Sequence, residues 1–163
     1  MTTDSEQGRR IQSGIHKATR YLSFRARTVF EMRVYLKKKG FTDSEIAIIV
    51  DYLIDKRYLN DEDFTKLYIE SQIRRTPKSK QTIFYELKKK GVITDIVDRE
   101  LMNCNDTELA IASVSPKIKH WQHLERDAIK KKVMNYLRYR GFSYDICLKT
   151  LDHVIKTIFP NHK

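Results

Sequence analysis

Thr28-Val-Phe-Glu-Met-Arg-Val-Tyr-Leu-Lys-Lys-Lys-Gly-Phe-Thr-Asp-Ser-Glu-Ile-Ala-Ile-Ile-Val-Asp-Tyr-Leu-Ile-Asp-Lys-Arg-Tyr-Leu-Asn60 carries two short helices joined at a glycine. Thr28 is the expected N-cap of the first, with Glu31 three residues on to close a capping box. Thr42 and Glu45 repeat the device after Gly40. That glycine stands where a left-handed residue ends a helix, and Phe41 is placed to cover the preceding turn. Met32 and Leu36 form the inner face of the first helix. Ile46, Ile49, Val50, Leu53 and Ile54 give the second an amphipathic stripe. Geometrically this is a helix–turn–helix, a term that does not yet imply DNA.

The unit recurs three times. Leu36-Lys-Lys-Lys-Gly-Phe41 is answered by Leu87-Lys-Lys-Lys-Gly-Val92 and Leu137-Arg-Tyr-Arg-Gly-Phe142, so Gly40, Gly91 and Gly141 lie 51 and then 50 residues apart. Alignment on the glycines puts Met32, Ile83 and Val133 in one apolar column, and Leu36, Leu87 and Leu137 in another. Downstream, Ile46 meets Val97 and Cys147, Val50 meets Leu101 and Leu151, and Leu53 meets Cys104 and Val154. The caps Thr28 and Ser79 coincide. A period near 50 residues suits an all-α chain of tandem three-helix repeats, homeodomain-like, forming an elongated, curved array. The expected division is a flexible tail over 1–14, repeats over 15–59, 60–104 and 105–158, and a tail over 159–163.

Of the 163 residues, 40% are hydrophobic, and 32 Lys and Arg against 21 Asp and Glu give a net charge of +11. No apolar run approaches the roughly 20 residues of a membrane helix, and Met1–Ser13 lacks the apolar segment of a signal peptide. Residues 16–60 and 103–163 each carry +5, whereas 61–102 carry +1. Such an excess points to a polyanionic partner, nucleic acid first; the plain alternative is a solvated basic surface. Cys104 and Cys147 fall in apolar columns and read as core thiols of a reducing, cytoplasmic protein.

Along the chain, helices are expected near 15–24, 28–39 and 43–57. Asn60 or Asp61 caps the next, whose inner face carries Phe64, Leu67 and Tyr68. A break at Arg74–Lys78 precedes the helix begun by Ser79, and a short helix follows near 94–102. The third repeat opens near Thr107, is interrupted around Pro116 and passes Trp121 in a loop. It resumes over Glu125–Arg140 and closes with Ser143–Ile158.

The cations cluster. Lys37, Lys38 and Lys39, then Lys88, Lys89 and Lys90, then Arg138 and Arg140 occupy the last turn of the same helix in each repeat. A helix C-terminus favours a cation by about 0.3–1 kcal/mol, which accounts for one residue better than for three. Lys130, Lys131 and Lys132 add a run, and Arg25, Arg27, Arg33, Arg74 and Arg75 complete a candidate filament or nucleic-acid contact set. Chemistry of other kinds finds little material. His120-x-x-His123 has helical spacing for two metal ligands but no accompanying carboxylate or cysteine motif, so no metal, cofactor or catalytic residue is assigned. Acids such as Asp61-Glu-Asp63 read as helix caps.

These residues resemble the RecX family, regulators of the RecA recombinase. The likeness begins with Tyr21-Leu-Ser-Phe-Arg-Ala-Arg-Thr-Val-Phe-Glu-Met32 and continues through Leu36–Phe41 and Tyr58-Leu-Asn-Asp-Glu-Asp-Phe64. Ile83–Val92 and Tyr139-Arg-Gly-Phe-Ser-Tyr-Asp-Ile146 follow, so that roughly residues 15–158 are covered. Thr65 stands where the family has Ala, Pro77-Lys-Ser-Lys80 lacks a common glycine, and Val92 replaces Ile. The resemblance implies a cytoplasmic, non-enzymatic monomer that binds along a RecA–DNA filament, meeting single- or double-stranded DNA through it. It further implies that RecA ATPase, filament growth and strand exchange are inhibited, in the regulation of DNA repair, homologous recombination and the SOS response. Two other readings are a sequence-specific or non-specific DNA-binding helix–turn–helix protein, and a helical protein scaffold.

Overall fold

The structure is a computed structural model that describes residues 2–160, with side chains from Glu6 onward. Among these residues there are helices and no strands: α1 (Thr2–Phe24), α2 (Val29–Lys38), α3 (Asp43–Asp55), α4 (Asp61–Arg75), α5 (Lys80–Lys89), α6 (Thr94–Leu101), α7 (Asp106–Trp121), α8 (Arg126–Tyr139) and α9 (Tyr144–Ile158). In chain order they make three successive triplets, the middle one divided between two compact units. One takes the residues through Leu67 together with Leu87–Val97, the other Tyr68–Glu86 together with the residues from Asp98 on.

The helix ends follow from their caps. Thr28 accepts from Glu31 N while the Glu31 side chain takes the Thr28 N–H, and Thr42 and Glu45 do the same for α3. Gly40, Gly91 and Gly141 all adopt left-handed φ, at +82°, +79° and +84°. The apolar columns point inward: Met32, Ile83 and Val133, like Leu36, Leu87 and Leu137, are fully buried. Burial of each is worth about 1.5–3 kcal/mol. In the first unit Met32, Leu36, Phe41, Ile46, Ile49, Val50, Leu53 and Leu59 form one core, and in the second Leu109, Val114, Ile129, Val133, Leu137, Cys147 and Val154 form another.

Four expectations need correction. Residues 2–14, read as a flexible tail, extend α1 by more than three turns. Ile11 packs on the first core, and Gly14 lies so close to α3 that a β-carbon would strike the Ile49 side chain. Sparse apolar residues hid this segment, which is seated by Ile11, by Gly14 and by the Arg10 bond to Glu45. On α4 the buried face is Phe64, Thr65 and Ile69, with Leu67 exposed. Thr65 fits inside because its hydroxyl donates to Asp61 O at 2.6 Å. Ile54 lies on the solvent edge of α3. Finally, α7 runs through Pro116 and ends at Trp121, which packs edge-on against Tyr136. Ala112 and Pro116 are both exposed, so water can take the carbonyl bond the proline removes. Residues 161–163, part of the expected end tail, lie outside the described residues.

One joint recurs, once in each unit. In the first, Thr28 Oγ1 donates to the carbonyl of Lys90 at 2.6 Å, and Val29 N donates to Asp61 Oδ1 at 2.9 Å. In the second, Ser79 N and Thr82 Oγ1 donate to the carbonyl of Arg140 at 3.1 and 3.3 Å, and Lys80 N donates to Asp106 Oδ1 at 2.8 Å. The start of one helix thus meets the end of the equivalent helix a repeat later. Opposite ends of two helix dipoles face each other, a favourable arrangement. The column that supplies Thr28 and Ser79 offers Ile129 in the third repeat. There α8 has opened earlier, and Ile129 is a buried residue at the end of its first turn.

Candidate functional site

The joints sort the candidate cations. Arg25 makes a two-pronged bond to Glu31, at 3.1 and 2.8 Å, and Lys90 Nζ reaches the same carboxylate at 3.8 Å. Burial opposes ionisation of Glu31, but the Arg25 fork and the Thr28 N–H outweigh it and hold its pKa below the ordinary carboxylate range. Beside it Asp61 is shifted the other way: burial raises it against the Val29 N–H, and the Glu31 charge adds to the rise. Arg27 lays its guanidinium 3.9 Å over the Tyr21 ring, which stacks in turn on Tyr35 at 3.9 Å. Two planar groups that close must occupy opposite faces of Tyr21, so Arg27, Tyr21 and Tyr35 form a pile. These two arginines serve the architecture first.

Others are similarly engaged. Lys37 pairs with Asp43 at 2.6 Å, Lys39 stands over Tyr35, and Arg74 lies 4.0 Å from Glu70. Lys88 Nζ donates to Val92 O and Thr94 Oγ1, tying down the end of its own helix. Arg140 donates to Thr76 O and lies 5.0 Å over Tyr136. Arg33, Lys38, Arg75, Lys89, Lys130, Lys131, Lys132 and Arg138 are exposed and form no ion pair among the described residues. Of the candidate set, they are the cations left for an external anion.

Two shallow grooves accompany them. One of about 300 Å³ lies against α1 and α2, lined by Tyr21, Phe30, Val34, Tyr35 and Lys38. The other, about 350 Å³, runs between α8 and α9 past Asp127, Lys130, Leu148, Leu151 and Asp152. Neither gathers groups for covalent chemistry. No cluster of three or more His, Cys, Asp and Glu suited to a metal occurs among the described residues. His120 and His123 are exposed. Burial pushes the Cys104 and Cys147 thiols up, away from the reactive thiolate. Tyr68, raised by burial and by Glu86, keeps its proton and donates it to Glu86 Oε2 at 2.7 Å.

Sequence reasoning missed three kinds of residue. Arg10 bonds Glu45 and donates to Gly40 O at 3.1 Å, closing the end of α2. Asp61 and Asp106 serve helices other than their own, which their positions as first-turn acids concealed. Tyr85 and Tyr139 stand exposed on α5 and α8, beside the basic runs of those helices. No helix among the described residues is long and apolar enough to cross a membrane.

Comparison with known proteins adds the family. Residues 15–53 match the family model described as RecX, first three-helix domain, and residues 60–101 that of RecX, second three-helix domain. The regulatory protein RecX of Chlorobium limicola is 30% identical over 140 residues, covering 86% of this chain and 88% of that protein. The regulatory protein RecX of Bacillus subtilis is 28% identical over 152 residues, covering 91% of this chain. The chain spans only 58% of the B. subtilis protein and 55% of its Bacillus licheniformis counterpart. Among solved structures, RecX from Lactobacillus salivarius superimposes with a TM-score of 0.74 at 24% identity, over 88% of this chain and 96% of that one. That likeness concerns the fold.

Proposed function

The chain belongs to the RecX family, and on that premise we propose that it is a cytoplasmic regulator that binds the RecA–DNA filament. Bound there as a monomer, it lowers RecA ATP turnover, filament growth and strand exchange, and so restrains recombinational repair and the SOS response. The observation that carries the reading is the ordered match of both three-helix domains, together with 30% identity to a regulatory protein over most of both chains. Eight exposed, unpaired cations suit a DNA-containing target. Sequence-specific readout of duplex DNA is poorly served, because α3 contains no Lys, Arg, Asn or Gln to meet base edges. On α9 both lysines are engaged, Lys149 with Asp145 and Lys156 with Asp152.

The test adds the purified chain to RecA, ATP and single-stranded DNA. Phosphate release and strand exchange should fall when the chain is well below equimolar with RecA. Unchanged rates at equimolar protein would overturn the reading. Replacement of Lys37, Lys38, Lys39, Lys88, Lys89 and Lys90 together by alanine, with folding verified by circular dichroism, should weaken inhibition at physiological salt. Full inhibition by that variant would remove these lysines from the interface.

A further inference from the structure

We propose that the outward face of α8 is a platform for a single nucleic-acid strand, with Tyr139 stacking on a base and Lys131, Lys132 and Arg138 holding phosphates. The face follows from helical spacing. Lys131, Asn135 and Arg138 recur at i, i+4 and i+7, with Lys132 and Tyr139 beside them, and all five are exposed. From Lys131 to Tyr139 the stripe runs about 12 Å. Its three cations form no ion pair among the described residues. The single acid of α8, Asp127, lies a turn before Lys131 beside the α8–α9 groove.

Tyr139 is the telling residue. It is 90% exposed at the last position of its helix. Its neighbour in sequence, Arg140, is tied to Thr76 O and over Tyr136, so the turn beneath it is fixed. Tyr144, 63% exposed, opens α9 at the same turn. An aromatic ring free on both faces, set among unpaired cations, offers both things a single strand presents: base faces to stack and phosphates to neutralise. A duplex hides its base faces, and a protein surface would have to supply a matching array of acids.

The repeat columns support the assignment. Tyr139 shares its column with Lys38 and Lys89, and Asn135 with Val34 and Tyr85. Tyr85, 57% exposed, stands about one turn before Lys89 on α5. An exposed aromatic beside cations thus occurs on α5 as well as on α8, and α8 is where the ring is freest. This inference deepens the function proposed above and rests on it for the source of the strand, the DNA of the filament. The contact itself needs no RecA.

The experiment titrates the full chain into a fluorescein-labelled oligothymidylate of about 20 nucleotides, without RecA, and reads anisotropy over a salt series. Tyr139→Ala should weaken binding about tenfold, while Tyr139→Phe binds like the parent. Arg138→Ala and Lys131→Ala should each flatten the log–log salt dependence by about 0.7. A side chain this exposed leaves the fold intact, which circular dichroism checks. Failure of the parent chain to bind the oligonucleotide overturns the platform and leaves the RecA reading standing. So does equal binding by the parent and Tyr139→Ala. Equal losses in the Ala and Phe variants overturn the stacking role. If Tyr139→Ala keeps oligonucleotide affinity but loses RecA inhibition, the face belongs to a protein partner and the proposal is wrong. Loss of oligonucleotide affinity with RecA inhibition retained supports it and separates the two readings.

Discussion

Gly40 and Gly91 end equivalent helices with nearly the same left-handed φ, yet their surroundings are opposite. A β-carbon on Gly40 would meet nothing within 4 Å. On Gly91 it would collide with Phe30 Cβ and Cγ and come within 2.9 Å of Cδ1. Gly141 matches Gly91, its β-carbon striking Thr82 Oγ1 and Ser79 Oγ. The same residue in the same column therefore does two different jobs. At Gly40 it supplies a backbone angle, with Arg10 closing the helix end from the side. At Gly91 and Gly141 it also makes room for a neighbouring repeat. A repeated motif fixes the turn locally, while at this column the need for closeness arises only where two repeats meet.

The largest effect should separate these jobs. Gly91→Ala combines the left-handed penalty of about 1 kcal/mol with overpacking of about 1–3 kcal/mol, so a loss near 3 kcal/mol is expected in urea unfolding. Equal losses at Gly91 and Gly40 would erase the distinction. The two capping boxes of the first repeat offer the next test. Thr42 caps an exposed end, whereas Thr28 is fully buried and also donates to Lys90 O. Thr28→Ala should cost about 2 kcal/mol or more, the lost cap plus an orphaned carbonyl, and Thr42→Ala about 1 kcal/mol. Gly40→Ala follows at about 1 kcal/mol, because strain without collision is all it meets.

The smallest effect concerns Arg10, which stands in for a neighbour at Gly40. Its hydrogen bond, with the Thr42 N–H, holds Glu45 down to about 2. A carboxylate lowered on folding stabilises the fold above its ordinary pKa, and the benefit fades as pH falls from about 4.5 towards 2. Glu45→Gln should flatten the acid limb of the stability curve within that window. An unchanged limb would show that the Arg10–Glu45 pair adds nothing to the stability of this end.

The caps, the glycine turns and the apolar columns were legible in the sequence because each is written within a few residues. The two Thr–Glu boxes and the three glycines appear where their spacing put them. What escaped was written across distance. Residues 2–14 are seated by Ile11 packing on the first core and Gly14 meeting α3, and nothing in the segment itself advertises that surface. The inner face of α4 rotated because Thr65 could satisfy its hydroxyl on Asp61 O, a bond that makes a polar residue acceptable inside. Asp61 looked like an ordinary first-turn acid, and only the fold shows it serving Val29. At the candidate surface the sequence supplied the cations but not their state. Arg25 and Arg27 are consumed by Glu31 and Tyr21, while Lys131 and Arg138 are left open.

The joint between Thr28 and Lys90 also sets a schedule. Its two partners lie 62 residues apart in the chain. A ribosome adding about 5–20 residues per second makes the second roughly 3–12 s after the first. Until then the Thr28 hydroxyl and Phe30 face water or whatever else is near, although both capping boxes of the first repeat can already close. Gly141 trails the Ser79–Thr82 segment by a similar interval. The first and second repeats of the nascent chain are thus each completed by the one that follows, and synthesis itself dictates the order in which the two seams are shut.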